Sequence, residues 1–176
     1  MSTNLMDHVH MRGDLLVTVR DARTGVQVQR YAVRNKITFL TGDVLVELIA
    51  QRATDPAPLA GQVYSMRMGI SNTPAARSDT NLGAFAAAKR LEDVHKVNGA
   101  SGALQLLATL DASEGNGATL QEVGLFTRGN KPVPTESDAP GIGPGEVRMI
   151  AHQVHPPIPK TPAITVEYSW QIAFTA

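Results

Sequence analysis

The clearest alternation of apolar and polar residues lies at the carboxyl end of the chain. Apolar side chains occupy every second position there, and smaller or polar side chains lie between them. Alternation with a period of two over a dozen residues predicts a long β-strand with one buried face. The predicted buried face is Ile164, Val166, Tyr168, Trp170, Ile172 and Phe174. Aromatic side chains bury the most apolar surface, so we expect Tyr168, Trp170 and Phe174 to anchor the core.

A second alternating region predicts a β-hairpin over residues 14–34. Leu15, Val17 and Val19 alternate with more polar residues, and a similar run begins at Val26. Gly25 lies in the connection, where a residue with positive φ is needed. We interpret this hairpin as a separate layer or arm beside the remaining chain.

Apolar residues then recur at intervals of three and four, which is the spacing of one helical face. They are Ile37, Leu40, Val44, Leu48 and Ile49. The spacing predicts one short α-helix over about residues 38–52, with Thr38 or Thr41 suited to cap its start. Pro56 and Pro58 end it. A helix this short is stable only when packed on another element, so we expect it to lie on a sheet.

The remaining chain is predicted to be mostly strand. Strands are expected at residues 63–70, 103–110, 120–127 and 146–154, with residues 85–97 open between helix and strand. Residues 155–159 contain three prolines and are expected to be extended, but not a central strand. Residues 128–145 form a long Pro/Gly-rich loop. About seven strands and one helix predict a mainly β fold, an antiparallel β-sandwich over residues 14–176 with an N-terminal arm of residues 1–13.

Composition narrows the function classes. The chain has 176 residues, 18% of them charged, and 16 basic residues balance 16 acidic ones. Zero net charge argues against a general nucleic-acid binder or a membrane-surface protein. It also suits a surface that becomes buried in an assembly. Cysteine is absent, which excludes disulfides and thiolate chemistry. We expect neither a transmembrane helix nor a secretory signal.

Two histidine pairs are the first candidates for chemistry. His8 and His10 share a face if extended, whereas His152 and His155 point to opposite faces of a strand. Neither pair lies in a zinc-protease motif. We interpret all four as exposed or interfacial histidines and predict no metal site and no cofactor.

Other motifs have ordinary structural explanations. No nucleophile elbow is present, adjacent Glu92 and Asp93 diverge on a strand, and other aspartates, Asp79 among them, lie in turns where they accept local hydrogen bonds. The glycines of residues 141–145 lack the Lys-Ser/Thr and the following helix of a phosphate-binding loop. The tripeptide of residues 12–14 matches an adhesion motif by chance, and Lys160-Thr161 is interpreted as a solvated turn. We predict no catalytic residues.

Four segments, taken in order, resemble a known group of proteins. They are residues 35–38 (NKIT) before the predicted helix, 68–73 (MGISNT) with 78–83 (SDTNLG), 119–126 (TLQEVGLF), and 149–154 (MIAHQV) with 157–161 (PIPKT) and the aromatic terminal strand. This set, spanning about residues 35–176, is similar to virion structural proteins of tailed bacteriophages of tail-fibre-like, collar or head-decoration type. The resemblance implies no catalytic residues.

The leading hypothesis is therefore a non-enzymatic accessory protein on the exterior of the phage head or neck, of the decoration or cement type. Alternatives are a tail or tail-fibre-base adaptor and, in another class, a host-surface binding module. The expected location is the virion, assembled in the host cytoplasm. Expected partners are further copies of the chain, as a trimer or ring, and major capsid, neck or tail proteins, without nucleic acid or membrane. Candidate assembly contacts are Leu5, Met6, Val9, Met11, Val133 and Ile142.

Overall fold

The computed structural model describes residues 10–34, 36–38, 41, 63–97, 103–127 and 147–175. These ranges contain ten β-strands. They are β1 (His10–Asp21), β2 (Gln27–Arg34), β3 (Lys36–Ile37), β4 (Val63–Gly69), β5 (Phe85–Arg90), β6 (Asp93–Lys96), β7 (Ala103–Leu110), β8 (Thr119–Thr127), β9 (Met149–Pro159) and β10 (Ile164–Thr175).

The strands form two five-stranded sheets. Sheet A has the order β2-β1-β10-β7-β6, and sheet B has the order β3-β9-β8-β4-β5. Every described strand pair is antiparallel. The main apolar core combines buried side chains of both sheets, as in a sandwich. The predicted mainly β, antiparallel sandwich class is confirmed.

The terminal strand has the predicted register. β10 is the middle strand of sheet A, paired with β1 on one side and β7 on the other. Tyr168 and Trp170 are fully buried in the core, as predicted. The Phe174 side chain lies outside the described residues, although its backbone pairs with Met11.

The predicted hairpin is present as β1 and β2, and Gly25 has a positive φ of 71° in its turn. It is not a separate layer, because β1 pairs along its whole length with β10. Its apolar positions Leu15, Val17 and Val19 belong to the shared core. β1 also begins at His10, four residues inside the predicted arm. Met11, proposed as an assembly contact, packs against the core of its own chain.

Strand pairing shows how two further segments fit into the sheets. The first, residues 85–97, contains two edge strands in different sheets, β5 in sheet B and β6 in sheet A. The second, the proline-rich residues 155–159, is extended as predicted and continues β9. Its described pairing there is with β8 alone, because the β3 contact stops at His152. Proline lacks an N–H donor, so a strand end with one such neighbour accommodates it.

Several predictions fall outside the described residues. They are the helix of about residues 38–52, apart from Thr38 and Thr41, the loop of residues 128–145, most of the arm, and the contacts Leu5, Met6, Val9, Val133 and Ile142. Among the described residues, no helix is long and apolar enough to cross a membrane.

Candidate functional site

The outer face of sheet B is covered by the segment between β4 and β5, residues 70–84, which we call the covering loop. A second, smaller apolar cluster lies on this face, separate from the core between the sheets. It consists of Leu82, Phe126, Val147 and Met149. Leu82 belongs to the covering loop, so the loop is held partly by apolar contact. A polar cluster, Glu122, His152 and Asp79, supplies the rest.

Glu122 binds the backbone at both ends of the covering loop. It is fully buried on β8. Its Oε1 accepts hydrogen bonds from the backbone N–H of Ser71 at 3.1 Å and of Ala84 at 2.9 Å, and its Oε2 accepts one from Gly83 at 3.0 Å. Hydrogen bonds to a charged acceptor are the stronger kind. One carboxylate therefore joins the two ends of a loop of fifteen residues, numbered 70–84.

His152 lies between Glu122 and a second carboxylate. Its backbone pairs with Gly124, two residues from Glu122, so both side chains point to the same face. Its Nε2 is 3.1 Å from Glu122 Oε2, and its Nδ1 is 2.7 Å from Asp79 Oδ2. Ionised carboxylates only accept hydrogen bonds, so the protonated imidazole, which donates from both ring nitrogens, satisfies both contacts. Asp79 also accepts from the N–H of Ala76 at 2.7 Å, which ties the middle of the covering loop to the same cluster.

The surroundings of Glu122 and His152 favour the charged forms of these two residues. Burial disfavours the charged imidazolium, but the hydrogen bonds to Glu122 and Asp79 outweigh it and raise the pKa of His152. Burial likewise opposes ionisation of Glu122, but its bonds to His152 and to three backbone N–H groups lower its pKa. Both shifts favour the ion pair between the Glu122 carboxylate and the protonated His152 ring.

Two glycines lie where the ends of the covering loop are tightly packed. Gly69 lies directly opposite Glu122 on β4. A Cβ atom at Gly69 would collide with Glu122 Oε1 and with the carbonyl oxygen of Ala84. A Cβ atom at Gly83 would meet Ser71 Oγ at 2.6 Å. Only glycine at these positions lets the loop ends approach Glu122 closely.

The contacts of this triad of Glu122, His152 and Asp79, which we call the clamp, hold the covering loop. Both nitrogens of His152 are engaged by carboxylates, and the protonated ring has no free lone pair. The nearby Ser71 Oγ donates to Thr73 Oγ1 at 3.1 Å. No cluster of the described residues has the arrangement of a metal site.

The other histidines are separate from the triad. His155 is buried on the core side, where its Nδ1 contacts the carbonyl oxygen of Pro156 at 2.8 Å and its Nε2 lies 3.4 Å from the Tyr168 hydroxyl. Burial lowers the pKa of His155. The prediction that His152 and His155 face opposite ways agrees with this placement, but the prediction that both are exposed or interfacial is wrong. His8 and the side chain of His10 lie outside the described residues.

The remaining motifs have structural explanations. Arg12 and Asp14 of the adhesion-like tripeptide form an ion pair with each other at 2.9 Å within β1. Lys160, interpreted as a solvated turn residue, is instead buried. Its ammonium donates to Asn116 Oδ1 and to the Thr161 carbonyl, both at 3.1 Å. Burial lowers the pKa of Lys160.

The sequence did not predict the triad. His152 was interpreted as exposed or interfacial and Asp79 as a turn residue, and Glu122 lay within one of the resembling segments. Asp79, Glu122 and His152 are 43 and 30 residues apart along the chain and meet only because β8 and β9 pair while the covering loop folds over them. The available signal was the resemblance. Three of its four segments contribute to this cluster, namely residues 68–83, 119–126 and 149–154. Comparison of the chain with protein-family models, characterised proteins and solved structures finds no match.

The clamp predicts a pH window for covering-loop stability. His152 has a pKa raised above its ordinary 6.5, so its contribution is complete below pH 6.5 and is lost as the pH rises through the raised value. Glu122 has a pKa lowered from 4.5, so its contribution is complete above pH 4.5 and is lost as the pH falls through the lowered value. The loop is expected to be best protected between these limits.

Trypsin cleavage after Arg77, an exposed residue of the covering loop, measures this protection locally across pH, with a free peptide correcting for the protease. A local probe is needed because His155 also affects the pH dependence of global stability. Burial lowers the pKa of His155, so below its ordinary pKa of 6.5 it destabilises the fold as the pH falls, which is opposite to the effect of His152. His152→Gln should abolish the alkaline loss. A flat profile between pH 5 and 9 in the wild type would contradict the assignment of charge.

Proposed function

We propose that this protein is a non-enzymatic structural component of a tailed-phage virion, an accessory protein of the decoration or cement type on the exterior of the head or neck. The supporting observation is the convergence of the resembling segments on the clamp. Three of the four bring their polar groups to one cluster, and each group there holds the covering loop. These resembling segments therefore form one structural unit in this chain, the fixed loop over sheet B.

The distribution of side chains agrees with a scaffold. Trp170, Tyr168 and Phe126 are fully buried, so these aromatics do not form a binding platform. Arg67 stacks over the ring of Phe126 at 4.6 Å, and Arg90 over that of Tyr64 at 5.1 Å. The second contact adds one further aromatic, Tyr64, to those engaged by side chains of the same chain, which favours an assembly role over recognition of host glycans.

The test is the composition of purified particles. Virions from the phage that encodes this chain are purified on a density gradient and analysed by quantitative mass spectrometry, with the major capsid protein as internal standard. We expect this chain in many copies per particle, and antibody labelling of intact virions at the head or neck. Labelling confined to the tail would favour the adaptor alternative. Absence from washed particles, with the chain present in the lysate, would contradict the proposal.

A further inference from the structure

The outer face of sheet A has no partner sheet among the described strands. Strand register determines which side chains share this face, since residues directly opposite each other point the same way. Three rows cross the sheet from β2 to β6. The first row is Arg34, Asp14, Gln171, Gln105 and His95, and the middle row is Ala32, Leu16, Ser169, Leu107 and Asp93. The third row is Arg30, Thr18, Glu167 and Thr109. Glu92 continues the third row, because it accepts hydrogen bonds from Thr109. The side chains that the three middle strands contribute to these rows are half-buried, except Thr18 and Ser169, which are buried.

Charge is distributed unevenly over this face. Its β2 edge is basic, with exposed Arg30 and Arg34. Its β6 edge is acidic, with exposed Glu92 and Asp93. The columns between them are mostly small, apolar or uncharged, and Gln105 donates to Ser169 Oγ at 2.8 Å within the face. Asp14 and Glu167 are the charged residues of the three rows on the middle strands. A mostly uncharged centre with a charged rim is the usual anatomy of a protein interface.

We propose that this face binds the same face of a second copy of the chain, around a two-fold axis parallel to the strands. The inference rests on the proposed function, because it specifies how copies of a multi-copy virion protein join. Such an axis lays the basic β2 edge of each copy over the acidic β6 edge of the other. Arg30 then lies opposite Glu92 of the second copy, and the same pair repeats across the axis.

The two-fold rotation also brings apolar residues of the middle row onto each other. Leu16 and Leu107 lie at equal distances on either side of β10, so Leu16 of each copy is placed over Leu107 of the other. Ser169 lies on the axis. A two-fold axis across the strands would instead stack the arginines of β2 on those of the second β2. Charge therefore selects one of the two face-to-face arrangements.

The expected contact is small. Five strands about 4.8 Å apart, over roughly 25 Å of strand length, offer about 600 Å² per copy. The total of about 1,200 Å² is near the lower limit for a specific interface, so we expect a dimer that dissociates at micromolar concentration. A trimer or a single ring has no two-fold contact of this kind. The contact would therefore join two copies, or two rings.

Charge-reversed variants of the full chain test the proposal. Arg30→Glu/Arg34→Glu makes both edges acidic, and Glu92→Lys/Asp93→Lys makes both basic. By analytical ultracentrifugation each variant alone should dimerise at least about tenfold more weakly than wild type. An equimolar mixture should form a heterodimer, since every acidic edge then faces a basic one.

Controls separate this result from misfolding and general charge effects. Arg23→Glu, in the hairpin turn, should leave dimerisation unchanged. The Glu92→Lys/Asp93→Lys variant loses the hydrogen bonds between Glu92 and Thr109. If this variant does not fold, Asp93→Lys/His95→Lys is used in its place, because the exposed side chains of Asp93 and His95 pair with each other. A wild type that stays monomeric to near-millimolar concentration, or a dimer indifferent to both reversals, would overturn the inference. Either result could be obtained while the chain is still found in virions, so the proposed function is tested separately.

Glu167 supplies an independent check on the axis. It lies on β10 in the outer row, so the two copies of Glu167 face each other near the axis. Glu167→Gln removes that repulsion and should strengthen the dimer. A weaker dimer would contradict the position assigned to the axis.

Discussion

Replacing Trp170 with alanine is expected to unfold the domain or leave it barely stable. The indole is fully buried at the centre of sheet A, where β10 pairs with Leu15 of β1 and Leu106 of β7. Truncating a buried tryptophan destabilises by about 3–5 kcal/mol, against a total stability of about 5–15 kcal/mol. Urea denaturation followed by far-UV circular dichroism measures the loss, or soluble yield where the variant does not fold.

Two matched variants test the register. Gln171→Ala changes the adjacent residue, which points to the outer face of sheet A, and should cost less than about 1 kcal/mol. Trp170→Phe keeps an aromatic ring and removes an indole N–H that has no hydrogen-bond partner among the described residues, so its effect should be intermediate. Equal stability of Trp170→Ala and Gln171→Ala would contradict the packing described here.

Replacing Glu122 with glutamine is expected to release the covering loop and destabilise the protein by about 3–5 kcal/mol, as does breaking other buried ion pairs. The amide cannot accept all four hydrogen bonds of the carboxylate, and its NH₂ faces backbone donors. Tryptic cleavage after Arg77 should accelerate, and the amides of Gly83 and Ala84 should lose hydrogen-exchange protection.

The control for this change is Glu167→Gln at low protein concentration. It makes the same substitution on the outer face of sheet A, at a half-buried residue away from the covering loop. It should alter neither the urea midpoint nor cleavage after Arg77. A stable Glu122→Gln protein with an equally protected loop would show that apolar contacts of the Leu82 cluster suffice to hold the loop.

The alternation of apolar and polar residues along a strand is a local property of the sequence, and it made much of the fold predictable. The buried faces of β1 and β10 were predictable because successive side chains of a strand point to opposite faces of the sheet. The apolar side chains on every second residue therefore face the core together. The sandwich class followed from the number of such segments. The extended backbone of residues 155–159 was also predictable from the sequence, because the ring of each proline fixes its φ angle.

Tertiary structure alone decided where those strands pair and what meets on their outer faces. Residues 85–97 carry weak local preferences, so pairing with β4 and β7 determines their strands. Lys160 and His152 resemble exposed residues in sequence, yet each is buried because distant oxygen atoms satisfy it. The ion triad joins residues whose contacts are separated by 30 or more positions, and no local pattern encodes such a distance. Its existence depends on β8, β9 and the covering loop being in place together.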